Sequence, residues 1–140
     1  MITFTVYGIP APKGSTKAFM PRGARSPVVT NDNPHTRPWA ALVKDAARQT
    51  MVDNNVVFSL GAVSLRVRFY MPRPKSLPKR SVEHVKRPDL DKLVRAVKDS
   101  LTGVLWDDDS QVVTLMASKS YVVSGGMPRA EIEVWAVGIN

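Results

Sequence analysis

Pro88-Asp89-Leu90-Asp91-Lys92-Leu93-Val94-Arg95-Ala96-Val97-Lys98-Asp99-Ser100-Leu101-Thr102-Gly103 is the stretch on which the fold turns. Leu90, Leu93, Val94, Val97, Leu101 and Val104 recur at helical spacing, and Gly103 supplies the stop. Downstream, Asp107-Asp108-Asp109 leads into a strand from about Gln111 to Val122. Ser124-Gly125-Gly126 turns the chain towards a last strand from Ala130 to Val137, so the two read as a hairpin. Upstream, a basic linker over 72–87 carries Arg73, Lys75, Lys79, Arg80, Lys86 and Arg87, with Glu83 its only acid. Before it, Val63, Leu65, Val67, Phe69 and Met71 alternate with Ser64, Arg66, Arg68 and Tyr70 as a strand, and Pro72 ends it.

Further out, helix signals begin at Thr36. Pro38 suits a first turn, Trp39, Leu42, Val43, Ala46 and Thr50 share a face, and Asp53-Asn54-Asn55 closes the helix. Between Gly8 and Pro38 lies a long loop rich in Pro, Gly and cations: Lys13, Lys17, Arg22, Arg25 and Arg37 against Asp32. Loops of that length in a small domain are functional or mobile. Ile2 to Tyr7 alternates as a half-buried strand. The order strand, helix, strand, helix, strand, strand predicts an α+β layer sandwich over 1–140, one domain with a mixed β-sheet and two main helices.

Composition narrows the function. The chain has 140 residues, with 20 Lys+Arg against 12 Asp+Glu, hence a formal charge of +8. There is no cysteine, which excludes thiol catalysis, thiolate metal sites and disulfides. No apolar run approaches the roughly 18 residues of a membrane span. The N-terminus also lacks the basic-then-apolar layout of a signal peptide. A soluble intracellular protein is expected, with no membrane partner and no organic cofactor. Asp89, Asp91, Asp107, Asp108 and Asp109 form two acidic clusters in an otherwise cationic chain. A basic field implies a polyanion, most often nucleic acid, although surface charge also serves solubility. The basic loops over 13–37 and 73–87 are the expected phosphate contacts, through Lys13, Lys17, Arg22, Arg25, Lys79, Arg80, Lys86 and Arg87.

The acids admit two readings. Asp89 and Asp91 enter a helix, where each can cap it or meet its dipole for roughly 0.3–1 kcal/mol. Asp107-Asp108-Asp109 can be a solvated turn. Alternatively, the strand after Asp109 folds back so that Asp109 approaches Asp89 and Asp91. Two carboxylates about 4 Å apart repel by roughly 4 kcal/mol at an effective dielectric of about 20, so such a cluster needs a cation or protons. All-oxygen ligands select Mg²⁺ or Mn²⁺, and such a cation in a basic surface suits phosphodiester hydrolysis. The residues alone leave both readings open.

The segments Lys86-Arg87-Pro88-Asp89-Leu90-Asp91-Lys92-Leu93, Arg95-Ala96-Val97, Asp99-Ser100-Leu101, Gly103 and Asp108-Asp109-Ser110-Gln111-Val112-Val113 resemble the signature of the RusA-type Holliday junction resolvases. These are crossover-junction endodeoxyribonucleases of bacteriophages and prophages, with a pattern close to K-P-D-x-D-N-L-x-K followed by D-D-x-Q-V. Gly8-Ile9-Pro10-Ala11-Pro12-Lys13-Gly14 resembles the family's N-terminal strand and turn, and Lys119 matches a basic residue after its third strand, a further DNA contact. The resemblance implies a homodimeric, Mg²⁺-dependent enzyme, with Mn²⁺ able to substitute, that makes paired symmetric nicks in four-way DNA junctions. It further implies a role in recombination and repair in the cytoplasm of a bacterial host or phage-infected cell. Asp89, Asp91 and Asp109 take the places of the family's metal-binding aspartates, with Asp108 close by as a further metal ligand. Lys92 stands where the family has Asn, and Arg95 where it has a catalytic Lys; Arg keeps the charge but not the compact shape. The rival functions are a non-catalytic DNA-binding protein with a structural acidic cluster and a broader metal-dependent nuclease cutting flaps, forks or RNA.

Overall fold

Strand β4 (Val63–Met71) is the spine of the protein. Its alternation puts Leu65, Val67, Phe69 and Met71 in the core, while Arg66, Arg68 and Tyr70 look the other way. On one side it pairs antiparallel with β6 (Arg129–Ala136), which in turn pairs antiparallel with β1 (Ile2–Tyr7). On the other side it pairs in parallel with β5 (Val112–Tyr121), giving a mixed sheet in the order β1-β6-β4-β5. Helix α1 (Thr36–Asn54) and helix α2 (Leu90–Leu101) pack against each other, and their buried stripes join the apolar face of the sheet. The α+β architecture with a mixed sheet and two helices is the one expected. A computed structural model describes all residues except 15, 21, 24, 27, 32, 58 and 138–140, and only the backbone of 16–19 and 28–31.

Two expectations change. The last two strands are not a hairpin: β5 and β6 lie on opposite sides of β4, and neither pairs with the other. Residues 122–128 carry the chain past the end of β4, where Val122 N–H donates to Met71 O at 2.9 Å. Pro72, which has no N–H to offer the ladder, follows the last residue of β4. The long N-terminal loop contains a two-stranded antiparallel sheet, β2 (Thr16–Phe19) with β3 (Val28–Asn31). These strands are short and lie among prolines, glycines and cations, so their alternation is too brief to read.

The second basic linker is also tethered. Arg73 donates to the carbonyls of Val122 (2.7 Å), Pro78 (3.0 Å) and Ser81 (2.6 Å), and Tyr121 N–H donates to Val82 O at 2.8 Å. At the other end, β1 runs into Gly8, whose φ of +141° suits glycine. A Cβ there would stand 3.1 Å from Leu42 Cδ1 and 3.5 Å from Trp39. Gly8→Ala should therefore destabilise the fold by about 1–3 kcal/mol, read as a lower urea midpoint at unchanged slope.

Candidate active site

Asp89 occupies the N-cap of α2 with extended backbone, φ −69° and ψ 143°, and its carbonyl accepts from Leu93 N–H. Its carboxylate makes no capping hydrogen bond. The capping reading therefore fails for the Asp89 side chain, which is left available. Asp91 lies in the first turn, where the helix dipole favours a negative charge.

From Asp91 the stripe Arg95–Lys98 continues one and two turns along α2. Register explains what it faces. In the parallel pairing, Leu115 and Ala117 of β5 stand opposite Leu65 and Val67, on the helix side of the sheet. Helix α2 buries its opposite stripe, Leu93, Val97 and Leu101, in the core and meets the sheet at β5, which it leaves half covered; Leu115 remains 45% exposed. The gap is a hollow of about 610 Å³ lined by Leu90, Asp91, Val94, Arg95, Lys98, Leu115, Ala117 and Asp109. Asp91 and Asp109 thus meet across one cavity, with two cations on the same wall.

Asp109 is held there by residues unused in the sequence reading. Thr102 Oγ1 lies 2.5 Å from Asp109 Oδ1, and buried Trp106 Nε1 donates to Thr102 Oγ1 at 3.0 Å. Lys98 O is 2.8 Å from the same hydroxyl, but the charged carboxylate is the stronger acceptor for its single proton. Gln111 fixes the turn: its Oε1 accepts from Asp107 N–H (2.7 Å) and Asp108 N–H (2.8 Å), and its Nε2 donates to Ser59 O (3.0 Å) and Gly61 O (2.9 Å). All four hydrogen-bonding positions of the amide are used. Asp108 Oδ2 accepts from Ser110 N–H at 2.9 Å, and hydrogen bonding to Ser110 lowers its carboxyl below the ordinary value. Asp108 thus holds its own 3-10 turn (Asp109–Gln111) and does not line the hollow that Asp91 and Asp109 share.

Asp89 opens onto a second, larger hollow of about 1010 Å³. Lys13, Arg87 and Lys92 line it, as does buried His84. The Lys13 ammonium is paired with Asp99 at 2.9 Å. Lys119 Nζ donates to Lys86 O (2.7 Å) and Pro88 O (2.8 Å), so it holds the backbone that delivers Asp89. Lys79, Arg80, Lys86 and Arg87 are exposed on the second basic linker, and Arg22 and Arg25 between β2 and β3. Lys17 lies in β2, and its side chain falls outside the described residues.

Among the described residues no three His, Cys, Asp or Glu side chains form a metal-holding group. The structure brings Asp91, Asp109 and Arg95 together and puts Asp89 on the neighbouring hollow. An all-oxygen pair of carboxylates fits Mg²⁺, which commonly takes one or two protein carboxylates and completes its shell with water and substrate phosphate. Of the residues missed, Lys98 was legible from its spacing to Asp91 and Arg95. Thr102, Trp106 and His84 were not, because tertiary folding alone makes their contacts.

No helix among the described residues is long and apolar enough to cross a membrane. A family model described as Endodeoxyribonuclease RusA matches residues 10–135. The chain is also 32% identical over 146 residues to Uncharacterized protein YqaN of Bacillus subtilis (strain 168), covering 95% of this chain and 94% of that protein.

Burial, and then the positive charge of Lys119, hold the His84 imidazole below its ordinary 6.5; Lys86 adds to this, and its own backbone carbonyl opposes it. Tyr121 packs edge-on against the ring, and Asp89 and Arg87 share its hollow. The unfolded chain takes up this proton more readily than the folded one. Stability is therefore complete above about pH 6.5 and falls as pH drops towards the lowered folded value. Melting temperature should decline over that window, and His84→Phe should flatten the decline; parallel curves would refute the assignment.

Proposed function

The chain belongs to the RusA endodeoxyribonuclease family, whose members cut DNA, and on that premise we propose that it resolves four-way DNA junctions by paired, symmetric, Mg²⁺-dependent phosphodiester hydrolysis. The observation that carries this reading is the meeting of Asp91 and Asp109 across one hollow beside Arg95 and Lys98. In this reading Asp91 and Asp109 hold the ion, and Asp89 supplies a carboxylate from the adjoining hollow. Mn²⁺ can take its place. When bound, the ion offsets phosphate charge and lowers the pKa of water.

The chain's own groups supply the rest. Arg95 presents a planar fork suited to two phosphate oxygens, and Lys98 a point charge beside it. Asp108 and Gln111 hold the turn that delivers Asp109, and Thr102 orients its carboxylate. The exposed cations Lys79, Arg80, Lys86, Arg87, Arg22 and Arg25 track the flanking backbone, with affinity that falls as salt rises. The site of action in this reading is the bacterial cytoplasm, in recombination and repair.

Paired nicking requires two copies related by a two-fold axis. We place the contact on β5, because it is an edge of the four-stranded sheet and exposes Val113 and Met116. Light scattering should give a dimer for the wild type and a monomer for Val113→Glu/Met116→Glu; a monomeric wild type would defeat the paired mechanism.

The deciding assay is cleavage of a synthetic mobile junction with and without Mg²⁺, alongside linear duplex, flap and single-stranded DNA. Asp91→Asn or Asp109→Asn should cut nicking by about 100-fold or more. Junction binding in metal-free buffer should hold or tighten, because each change removes a negative charge near phosphate. Wild-type cleavage by Asp91→Asn, or cleavage indifferent to Mg²⁺, would overturn the proposal.

A further inference from the structure

The hollow in front of Asp89 is larger than a metal and a phosphate require. Its volume of about 1010 Å³ lies at the top of the roughly 300–1,000 Å³ range of small-molecule sites. Ala11 and Met71, two apolar residues of its lining, are almost fully buried. Arg87 is exposed and Lys92 half-buried on the same lining. Asp89 belongs to it too, so the hollow opens beside one of the carboxylates of the cleavage site.

His84 gives this hollow a feature that the cleavage chemistry leaves unexplained. His84 is nine-tenths buried, its ring lies 4.8 Å from that of Tyr121 in a T-shaped arrangement, and Nδ1 has no hydrogen-bond partner among the described residues. Buried polar groups are nearly always paired, because an unpaired one forfeits its hydration without return. Buried apolar side chains, a ring nitrogen without a partner and a cationic lining match the parts of a nucleotide: a π-face, a polar edge and a phosphate. Proteins recognise splayed single-stranded bases with this combination, and enzymes extrude bases into such pockets at the cost of unstacking.

We propose that this hollow receives one unstacked nucleobase of the cut strand, next to the scissile phosphate, and that His84 reads its polar edge. The proposal rests on the nuclease reading above and adds a specificity determinant to it. A base inside a continuous duplex is covered on both faces and cannot enter. The centre of a branched junction, where stacking is interrupted, offers such a base at lower cost, which makes the hollow a device for preferring branched DNA.

The test uses the full-length protein and a synthetic four-way junction in metal-free buffer, so that binding is read without cleavage. 2-Aminopurine replaces one base at each position flanking the cut, its emission reports unstacking, and anisotropy of a distal label reports binding. At one position wild-type protein should raise the emission severalfold at saturation, and His84→Ala should return it to the free-junction level while still binding. Emission matching the free junction at every position, with the junction saturated, would overturn the proposal even if Mg²⁺-dependent cleavage is intact. His84→Phe, which keeps an aromatic ring and removes the ring nitrogens, covers the case in which the alanine variant does not fold. Wild-type affinity should differ severalfold among junctions carrying A, C, G or T at that position, and the phenylalanine variant should lose the difference. Equal wild-type affinities, or discrimination retained by His84→Phe, would equally overturn it. All of these readouts are binding measurements, so a failure of the nuclease reading would appear separately, in the cleavage assay.

Discussion

Helix α2 has two obligations that pull on one set of residues. Its stripe of Leu93, Val97 and Leu101 must lie on the apolar face of the sheet, where all three are fully buried. Such burial is worth about 1.5–3 kcal/mol per large apolar side chain, far more than any surface interaction the helix makes. Once that stripe is down, helical geometry leaves no choice about the rest. Asp91, Arg95 and Lys98 must look along the sheet towards β5, and Asp89 must sit where the chain enters the helix. The parallel pairing of β4 with β5 then brings the start of β5, and Asp109 just before it, to the same side. The proposed cleavage site is a by-product of how the core closes.

Polar groups around the site mostly serve position, not charge. Gln111 ties the acidic turn to Ser59 and Gly61 with a fully used amide. Thr102, backed by Trp106, sets the rotamer of Asp109. Lys119 holds the carbonyls of Lys86 and Pro88 just ahead of Asp89. Each joins elements far apart in sequence or caps a turn that would otherwise fray. Asp109 is oriented by its tie to Thr102, Asp108 accepts from Ser110 N–H within its own turn, and the Asp89 carboxylate makes no capping bond. His84 is a buried polar group whose Nδ1, like Trp39 Nε1, has no hydrogen-bond partner among the described residues.

Much of this was legible in the chain itself. Alternation in Val63–Met71 and the helical spacing from Leu90 to Leu101 determined the spine and its covering helix, because periodicities of two and 3.6 residues survive in any context that buries one face. The clusters at Asp89–Asp91 and Asp107–Asp109 marked the candidate site, because so many carboxylates near one helix exceed what capping can use. Tertiary structure decided the rest. Spacing carries no information about which strand a neighbour pairs with, so the separation of β5 from β6 by β4 could not be read from the turn at Ser124-Gly125-Gly126. Nor could the division of the acids between two hollows, the Thr102–Asp109 contact or the burial of His84. Those depend on distances between elements that are set only when the core packs, and a one-dimensional pattern does not contain them.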